Sequence, residues 1–219
     1  MSTTPNGWTL SSSRSGLLIV LSAPSGGGKS TLAKAMRAAD PKLGYSVSVT
    51  TRPRRPNEVD GRHYTFVSEE EFQRLIDRDV FFEHARVHGH MYGTRRDTVE
   101  AAMAEGRDIL MDLDVQGGLD MKRQCPDAVL IFLLPPSLEV LRHRLETRAT
   151  DSQEVIDQRL AVAPDEIAHW REYDYAVMND DLDLAVARAR GIVEAERHRP
   201  RRMEIQWGGN VPPSVESRA

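Results

Sequence analysis

A glycine-rich segment near the start of the chain has the composition of a phosphate-binding loop. Residues 23–30 read Ala-Pro-Ser-Gly-Gly-Gly-Lys-Ser and join an apolar run, residues 17–21, to a stretch of helical composition. Adjacent glycines let backbone N–H groups turn inward around an anion, and the helix N-terminus adds partial positive charge. In this pattern Lys29 reaches the outer phosphates and the Ser30 hydroxyl ligates Mg²⁺. The candidate phosphate-binding residues are Ala23, Pro24, Ser25, Gly26, Gly27, Gly28, Lys29, Ser30 and Thr31.

Two acidic residues close a second apolar run. Asp112 and Asp114 lie at the end of residues 109–115, which we interpret as a buried strand. An acidic residue at the end of such a strand is the usual partner of the metal ion and its waters in a phosphate-loop protein. We therefore expect Ser30 to bind Mg²⁺ directly and Asp112 to bind it through water.

A basic segment provides a second possible anion site. Residues 52–56 read Arg-Pro-Arg-Arg-Pro, and they are followed by Tyr64 and Tyr92. Such a segment is either a solvated basic loop, a nucleic-acid patch or a site for one anion. No Trp or Phe alternates with the arginines, as a stacking platform for bases requires. Because the chain as a whole is acidic and arginine suits bidentate phosphate binding, capture of a single phosphate is favoured.

These residues must be positioned by an α/β fold. Apolar runs alternate with helix-period stretches, which predicts a parallel β-sheet of the phosphate-loop type with helices on both faces. Ligands of such sheets bind beyond the carboxyl ends of the strands. The predicted strands are 17–21, 45–49, 109–115, 129–134 and 175–178, and the predicted helices are 30–39, 98–105, 119–124, 138–148 and 182–197.

Two segments interrupt the alternation. Residues 50–96 contain short strand candidates and one helix with a capping box, Ser68 with Glu71, and they predict an inserted subdomain. Residues 144–164 are polar and rich in arginine, and they predict a mobile lid. The expected organisation is a tail over 1–16, one domain over 17–200 and a second tail over 201–219. Within the domain, the core is 17–49, 97–143 and 165–200, the insert is 50–96 and the lid is 144–164.

Composition narrows the class of protein. The chain has 219 residues, and 29 Lys and Arg against 33 Asp and Glu give a net charge of −4, which disfavours general nucleic-acid binding. The single cysteine, Cys125, excludes an intramolecular disulfide and indicates a reduced, cytoplasmic setting. The longest early apolar run is too short to span a membrane, and the first 16 residues lack the apolar core of a signal peptide. Monomer and homo-oligomer both remain open.

Several motifs in order resemble those of guanylate kinases, over about residues 17–197. They are Ser-Val-Thr-Thr-Arg-Pro-Arg-Arg from position 48, Gly-Arg-His-Tyr from 61, Phe-Glu from 82, Tyr-Gly-Thr from 92, Asp-Leu-Asp-Val-Gln-Gly from 112 and Arg-Leu-Glu-Thr-Arg from 144. The resemblance implies transfer of the γ-phosphoryl group of ATP to GMP, and to dGMP, with Mg²⁺, in purine nucleotide metabolism. Two positions depart from the family pattern, since Ala23 and Ala149 stand where glycine is frequent.

The resemblance also implies roles for individual residues. It places Asn179 near the adenine of ATP. Charge on the transferring phosphoryl group would be met by Lys29, Arg52, Arg148 and Arg159. The GMP-binding residues would be Ser48, Arg52, Arg55, Tyr64, Glu83, Tyr92, Thr94, Asp112 and Asp114.

Glu83 makes chemical sense as a guanine selector. The Watson–Crick edge of guanine offers two adjacent donors, N1–H and the N2 amine, and a carboxylate accepts both at once. Adenine would present a ring-nitrogen acceptor to the same carboxylate, and the unpaired group that results discriminates strongly. Without the neighbouring arginines and tyrosines, a solvated glutamate would be the simpler interpretation.

Two other functions stay open from the sequence. The first is a kinase for AMP, a pyrimidine monophosphate or another small acceptor, against which Glu83 and Asp114 argue. The second is a non-catalytic protein-interaction module of guanylate kinase type, against which the intact Lys29 and Ser30 argue. A metal site built on His84, His88 and His90 is disfavoured, because their spacing supplies no complete ligand set.

Overall fold

The structure, a computed structural model, describes residues 9–87, 89–147 and 152–208, and its centre is a five-stranded parallel sheet. Its strand order is β10-β9-β2-β8-β3, and every neighbouring pair runs parallel. The strands are β2 (Leu18–Ser22), β3 (Leu43–Tyr45), β8 (Asp108–Asp112), β9 (Val129–Leu134) and β10 (Tyr175–Met178). The predicted α/β class is confirmed.

Helices cover both faces of this sheet. Successive residues of the central strand β2 face opposite ways, so that Ile19 and Leu21 enter one apolar core while Leu18 and Val20 enter the other. The covering helices are α1 (Lys29–Ala39), α3 (Arg96–Ala104), α4 (Val115–Gln124) and α7 (Leu182–Arg197). Burial on both faces explains why the strands are continuously apolar.

A second sheet lies in the chain between β3 and α3. Its strand order is β5-β4-β7-β6, and the helix α2 (Glu69–Asp77) belongs to the same segment. Its strands are β4 (Val49–Thr50), β5 (Thr65–Phe66), β6 (Phe81–Val87) and β7 (His90–Arg95). Phe72 of α2 stacks on Phe81 with ring centroids 4.7 Å apart, giving the segment a core of its own. Ser68 caps α2 by accepting a hydrogen bond from the Glu71 N–H, as its sequence predicts.

The strand predicted over residues 45–49 is wrong. The central sheet keeps only β3, which ends at Tyr45, and the second sheet begins at Val49. Ser46 is buried between them and donates its backbone N–H to the Leu110 carbonyl at 2.9 Å. The chain crosses from one sheet to the other here, and an alternating pattern cannot reveal that its two ends belong to different sheets.

The arginine-rich segment predicted as a lid contains parts of two helices. They are α5 (Leu138–Thr147) and α6 (Gln153–Ala168), and they pack against each other. Leu145, Ile156 and Ala163 are buried, so each helix has an apolar side despite its polar composition. No helix in the described ranges has both the length and the apolar character that crossing a membrane requires.

The two predicted tails differ from their expected form where they are described. The strand β1 (Thr9–Arg14) pairs antiparallel with β11 (Met203–Gly208) in a two-stranded ribbon. Arg14 anchors the ribbon with two hydrogen bonds to the buried Asp108, at 2.5 and 2.7 Å, and Arg197 of α7 donates a third at 2.8 Å. Composition alone indicated tails because strand pairing between distant segments leaves no local signal.

Candidate active site

The loop between β2 and α1 has the tight turn of a phosphate-binding loop. Gly28, the N-cap of α1, has a φ of +95°, and a Cβ at this position would lie 2.5 Å from Asn179 Nδ2. The methyl group of Ala23 faces Gly27, where a Cβ would approach it to 2.6 Å. Lys29 donates from Nζ to the Ala23 carbonyl oxygen at 2.9 Å. Alanine at position 23 is therefore compatible with the turn as long as position 27 is glycine.

Asp112, the last residue of β8, connects this loop to β3. The Ser30 hydroxyl donates to Asp112 Oδ2 at 2.7 Å, and the Tyr45 hydroxyl donates to Oδ1. Burial and the charge of Asp112 raise the pKa of Tyr45, so its hydroxyl keeps the proton that it donates. A hydroxyl and a carboxylate on neighbouring elements are hard oxygen donors of the kind that Mg²⁺ takes. The two residues predicted for magnesium lie together, and their chemistry suits the ion.

Glu83 is a buried carboxylate on β6, only 6% exposed. The Thr94 hydroxyl donates to its Oε1 at 2.7 Å. A Cβ on Gly117 would lie 3.1 Å from Glu83 Oε2 and 3.7 Å from Asp114 Oδ1, so the two carboxylates converge beside α4. Burial raises the pKa of Glu83 to about 7, with a hydrogen bond from Thr94 opposing the rise and the charge of Asp114 adding to it.

Asp114 and Ser48 border the same region. Asp114 is not part of β8 but caps α4, because its carboxylate accepts a hydrogen bond from the Gly117 N–H at 2.9 Å. Ser48 stands one residue before β4, whose Val49 pairs with Gly93 of β7. This register places Ser48 beside Thr94.

Arg52 is the centre of a polar and aromatic cluster on the second sheet. Its guanidinium lies 5.3 Å from the centroid of Tyr64, whose ring packs edge-on against Tyr92 at 6.1 Å. Glu58 accepts a hydrogen bond from Arg52 at 2.7 Å and another from the Arg55 N–H at 2.8 Å. Burial alone would raise the pKa of Glu58, but these hydrogen bonds outweigh it and hold the pKa below its usual range.

The helix α6 reaches the phosphate loop through Glu166. Its carboxylate Oε2 accepts a hydrogen bond from the Ser25 backbone N–H at 3.2 Å. Burial raises the pKa of Glu166, and the nearby charges of Lys29 and Arg159 oppose that rise. Arg159, predicted to face the transferring phosphoryl group, lies on the same helix. Arg148, with the same predicted role, lies outside the described residues.

Asn179 holds the phosphate loop from the other side. Its Nδ2 donates to the Gly27 carbonyl at 2.7 Å, and Arg144 donates to the Asn179 carbonyl at 2.8 Å. Both residues line a cavity of about 410 Å³ that also borders Gly28 and His143. The cavity therefore lies next to the phosphate loop. It is where Asn179 is predicted to contact the adenine of ATP.

The two halves of the site are electrostatically connected. The charge of Asp112, beside Ser30, contributes to a raised pKa of Tyr64 in the second sheet, although burial has the larger effect.

Three polar partners in this site were not predicted from sequence, namely Tyr45, Glu58 and Glu166. Their types are common in loops and on helix surfaces, so only the fold reveals that they contact the predicted residues.

The histidines near Glu83 form no metal centre in the described part of the chain. His84 and His90 belong to β6 and β7, and His88 lies outside the described residues. Residues 9–87, 89–147 and 152–208 contain no group of three or more His, Cys, Asp or Glu side chains able to hold a metal ion.

Comparison with known sequences identifies the family. Residues 15–196, most of the chain, match the sequence model of the family described as Guanylate kinase. The chain belongs to the guanylate kinase family. The resemblance seen in its motifs is confirmed.

Individual guanylate kinases agree with this assignment. Those of Rhizobium meliloti (strain 1021) and Rhizobium etli are 57% and 55% identical to this chain over 187 residues, which cover 85% of each sequence. The crystal structure of guanylate kinase from Anaplasma phagocytophilum matches with a TM-score of 0.74 and 34% identity, covering 87% of this chain and 90% of that one. The guanylate kinase match begins at residue 15 and ends at 196, so both strands of the terminal ribbon lie outside it.

Proposed function

We propose that this chain transfers the γ-phosphoryl group of ATP to GMP, and to dGMP, giving ADP and the guanosine diphosphate. The observation that carries the proposal is the buried carboxylate of Glu83, which converges with the half-buried carboxylate of Asp114, two residues after the Asp112 that accepts a hydrogen bond from Ser30. Membership of the guanylate kinase family supports it. The reaction serves purine nucleotide metabolism and GMP recycling, and the single cysteine supports a cytoplasmic setting.

Guanine recognition rests on the ionised form of Glu83. The carboxylate accepts hydrogen bonds from guanine N1–H and the N2 amine, while Thr94 holds its other face. Asp114 and Ser48 border the base. An adenine in this position would leave the carboxylate facing a ring nitrogen, and that mismatch costs binding energy in a buried site.

The acceptor needs no general base. A phosphate oxygen of GMP is already anionic near neutral pH, and it is the nucleophile that attacks the γ-phosphorus of ATP. The obstacle is the repulsion between two polyanions. Arg52 and Arg55, with the hydroxyls of Tyr64 and Tyr92, bind the GMP phosphate and offset part of its charge.

Charge on the transferring group is met from the other half of the site. Lys29, Arg148 and Arg159 surround the equatorial oxygens, and Ser30 and Asp112 would hold Mg²⁺, with Asp112 bonding through water. An ion held by these two residues would supply positive charge that offsets the charge developing on the phosphate oxygens. The insert and the lid flank the site, so their closure would exclude the water that otherwise accepts the phosphoryl group.

An assay of nucleotide-dependent ADP release tests the proposal. Purified protein with Mg²⁺ and ATP is supplied with GMP, dGMP, AMP, UMP or CMP. We expect rapid release only with the two guanine nucleotides. Release with AMP, UMP or CMP instead of GMP would identify a different kinase, and absence of release with any acceptor would favour a non-catalytic module.

Lys29→Ala is the matched variant for this assay. Because Lys29 acts on the phosphates of ATP, phosphoryl transfer should fall by about 100-fold or more, while calorimetry shows GMP affinity near that of the unmodified protein. Loss of GMP binding in this variant would contradict the role assigned to Lys29.

A further inference from the structure

Glu166 brings a negative charge to the place where phosphate binds. Its carboxylate accepts the Ser25 N–H at 3.2 Å, and Ser25 belongs to the row of P-loop amides predicted to face phosphate oxygens. The contact is long-range, because it joins α6 to the loop between β2 and α1 across 141 positions of sequence. It therefore depends on how α6 packs and not on local chain geometry.

The groups around this carboxylate are those that surround a bound phosphate. Lys29 and Arg159 contribute favourable charge, and Asp114 contributes unfavourable charge. A carboxylate and a phosphate both present oxygen anions to N–H donors, so they compete for the same amides and cations. In the structure, Glu166 accepts a hydrogen bond from one of these donors, the Ser25 N–H.

We propose that Glu166 is an internal counter-anion that occupies part of the phosphate site, at the Ser25 N–H, and is displaced by the phosphates of ATP. This inference rests on the proposed function for the identity of the nucleotide, but the competition itself concerns any polyphosphate at the loop. Glu166 is a positioning residue, because it acts through Ser25, Lys29 and Arg159 and has left the loop when phosphate is bound.

Displacement couples nucleotide binding to α6. Arg159 lies on the same helix as Glu166, inside the segment predicted as the lid. When phosphate replaces the carboxylate at Ser25, the helix loses one of its ties to the loop, and the same phosphate offers Arg159 a new anionic partner. The exchange would thus remove one contact between α6 and the loop while giving Arg159 of the same helix a further anionic partner.

Equilibrium binding of tripolyphosphate, measured by calorimetry without GMP, tests the proposal. Glu166→Gln keeps the shape of the side chain but removes its charge, and Glu166→Asp keeps the charge on a side chain too short for the Ser25 contact. We expect both variants to bind tripolyphosphate more tightly, Glu166→Gln by about three- to tenfold and Glu166→Asp by a smaller but measurable factor. The matched control is Asp165→Asn, an exposed position one residue earlier on the same helix, which should bind like the unmodified protein.

The outcomes separate competition from a general charge effect. Tightening in Glu166→Gln alone would show that the carboxylate acts only through its charge, and unchanged or weaker binding would show that it does not compete; either result overturns the proposal. In turnover assays, Glu166→Gln should lower KM for ATP, and Asp165→Asn should leave it unchanged. Failure of the proposed function would appear differently, as absence of GMP-dependent ADP release in the unmodified protein.

Discussion

Glu83 is buried, yet guanine recognition requires its ionised form. A raised pKa in the folded state means that the folded protein binds a proton more tightly than the unfolded chain does. Ionisation of Glu83 therefore lowers stability as pH rises from about 4.5 to about 7, and the full loss is present above that window. The site keeps a carboxylate that weakens the fold because only a carboxylate accepts two guanine donors.

Glu83→Gln should separate these two effects. At pH 8 we expect the free energy of unfolding to rise by about 1–3 kcal/mol, since a neutral amide avoids the buried charge, and the gain should vanish near pH 4. The preference for GMP over AMP should shrink, because an amide offers one acceptor and one donor. Chemical denaturation and steady-state kinetics measure the two quantities. Glu70→Gln, at an exposed position on α2, should change neither, and an unchanged GMP preference in Glu83→Gln would remove Glu83 from the guanine site.

GMP binding should also release a proton near neutral pH. Because the pKa of Glu83 is about 7 before GMP binds, the apparent KM for GMP should rise about tenfold for each pH unit below 7. Calorimetry in two buffers of different ionisation enthalpy measures the proton directly. Glu83→Gln serves as the reference, since it retains only the titration of the GMP phosphate. A pH-independent KM between 5.5 and 7 would contradict the assignment.

Individual residues that belong to sequence motifs could be predicted, whereas the residues that hydrogen-bond to them could not. Lys29 and Ser30 could be identified because their motif encodes a strand, a turn and a helix N-terminus, and Asp112, which accepts a hydrogen bond from Ser30, because it ends an apolar run. Tyr45 and Glu58 were not predicted, since each acts only through contact with a predicted residue.

The turn at Gly28 shows how an element determines a residue type. Its φ of +95° and the nearby Asn179 amide each disfavour a side chain. Gly28→Ala should therefore lower the free energy of unfolding by about 2 kcal/mol or more and weaken ATP binding strongly. Thermal denaturation and nucleotide calorimetry measure these effects.

Gly61→Ala is the control for the turn. Gly61 also has a positive φ, of +72°, but a Cβ there meets no atom within 4 Å. This variant should show only the cost of the backbone conformation, about 1 kcal/mol. If both variants lost the same free energy of unfolding, the close approach of Asn179 to the loop would not contribute to stability.

Most elements of the central sheet could be predicted, and the failures have physical causes. The strands β9 and β10 and the helix α7 match their predicted bounds, because long apolar or amphipathic runs with clear ends have few alternative structures. The predicted strand 45–49 was wrong because alternating apolar residues indicate only that side chains are buried. They do not indicate which of the two sheets buries them. The helix α5 matches its predicted range to within one residue, whereas α6 was missed because its polar composition obscures an apolar side formed by few residues, Ile156 and Ala163.

Asp108 accepts hydrogen bonds from segments that are far apart in sequence. Arg14 of the ribbon, the Leu17 N–H and Arg197 of α7 all donate to this buried carboxylate. Burial opposes its ionisation, but these hydrogen bonds prevail and hold the pKa of Asp108 below its usual value of 3.8. The stability that it contributes is therefore present above about pH 3.8 and is lost as pH falls through the lower folded-state pKa.

Asp108→Asn should destabilise the whole molecule without touching the active site. We expect a loss of about 2–4 kcal/mol at pH 7, because two arginines lose a buried charged partner, and a smaller loss below pH 4. Denaturant titrations at several pH values measure this, and KM for GMP should stay unchanged. Asp127→Asn, whose side chain is 73% exposed and 3.8 Å from Arg201, should cost less than about 0.5 kcal/mol. Equal losses in the two variants would show that the Asp108 cluster adds nothing to stability.

The pairing of Thr9 with Gly208 in the ribbon brings two points far apart in sequence next to each other. Paired strands lie about 4.8 Å apart, a gap that one or two added glycines would bridge. A chain trimmed to residues 9–208 and cyclised there could be cut again in the exposed turn at Asp127, which would yield a circular permutant with the central strands intact. Such a permutant would keep the nucleotide site while moving both chain ends to the turn between α4 and β9, where Arg202 donates to the Asp127 carbonyl at 2.9 Å.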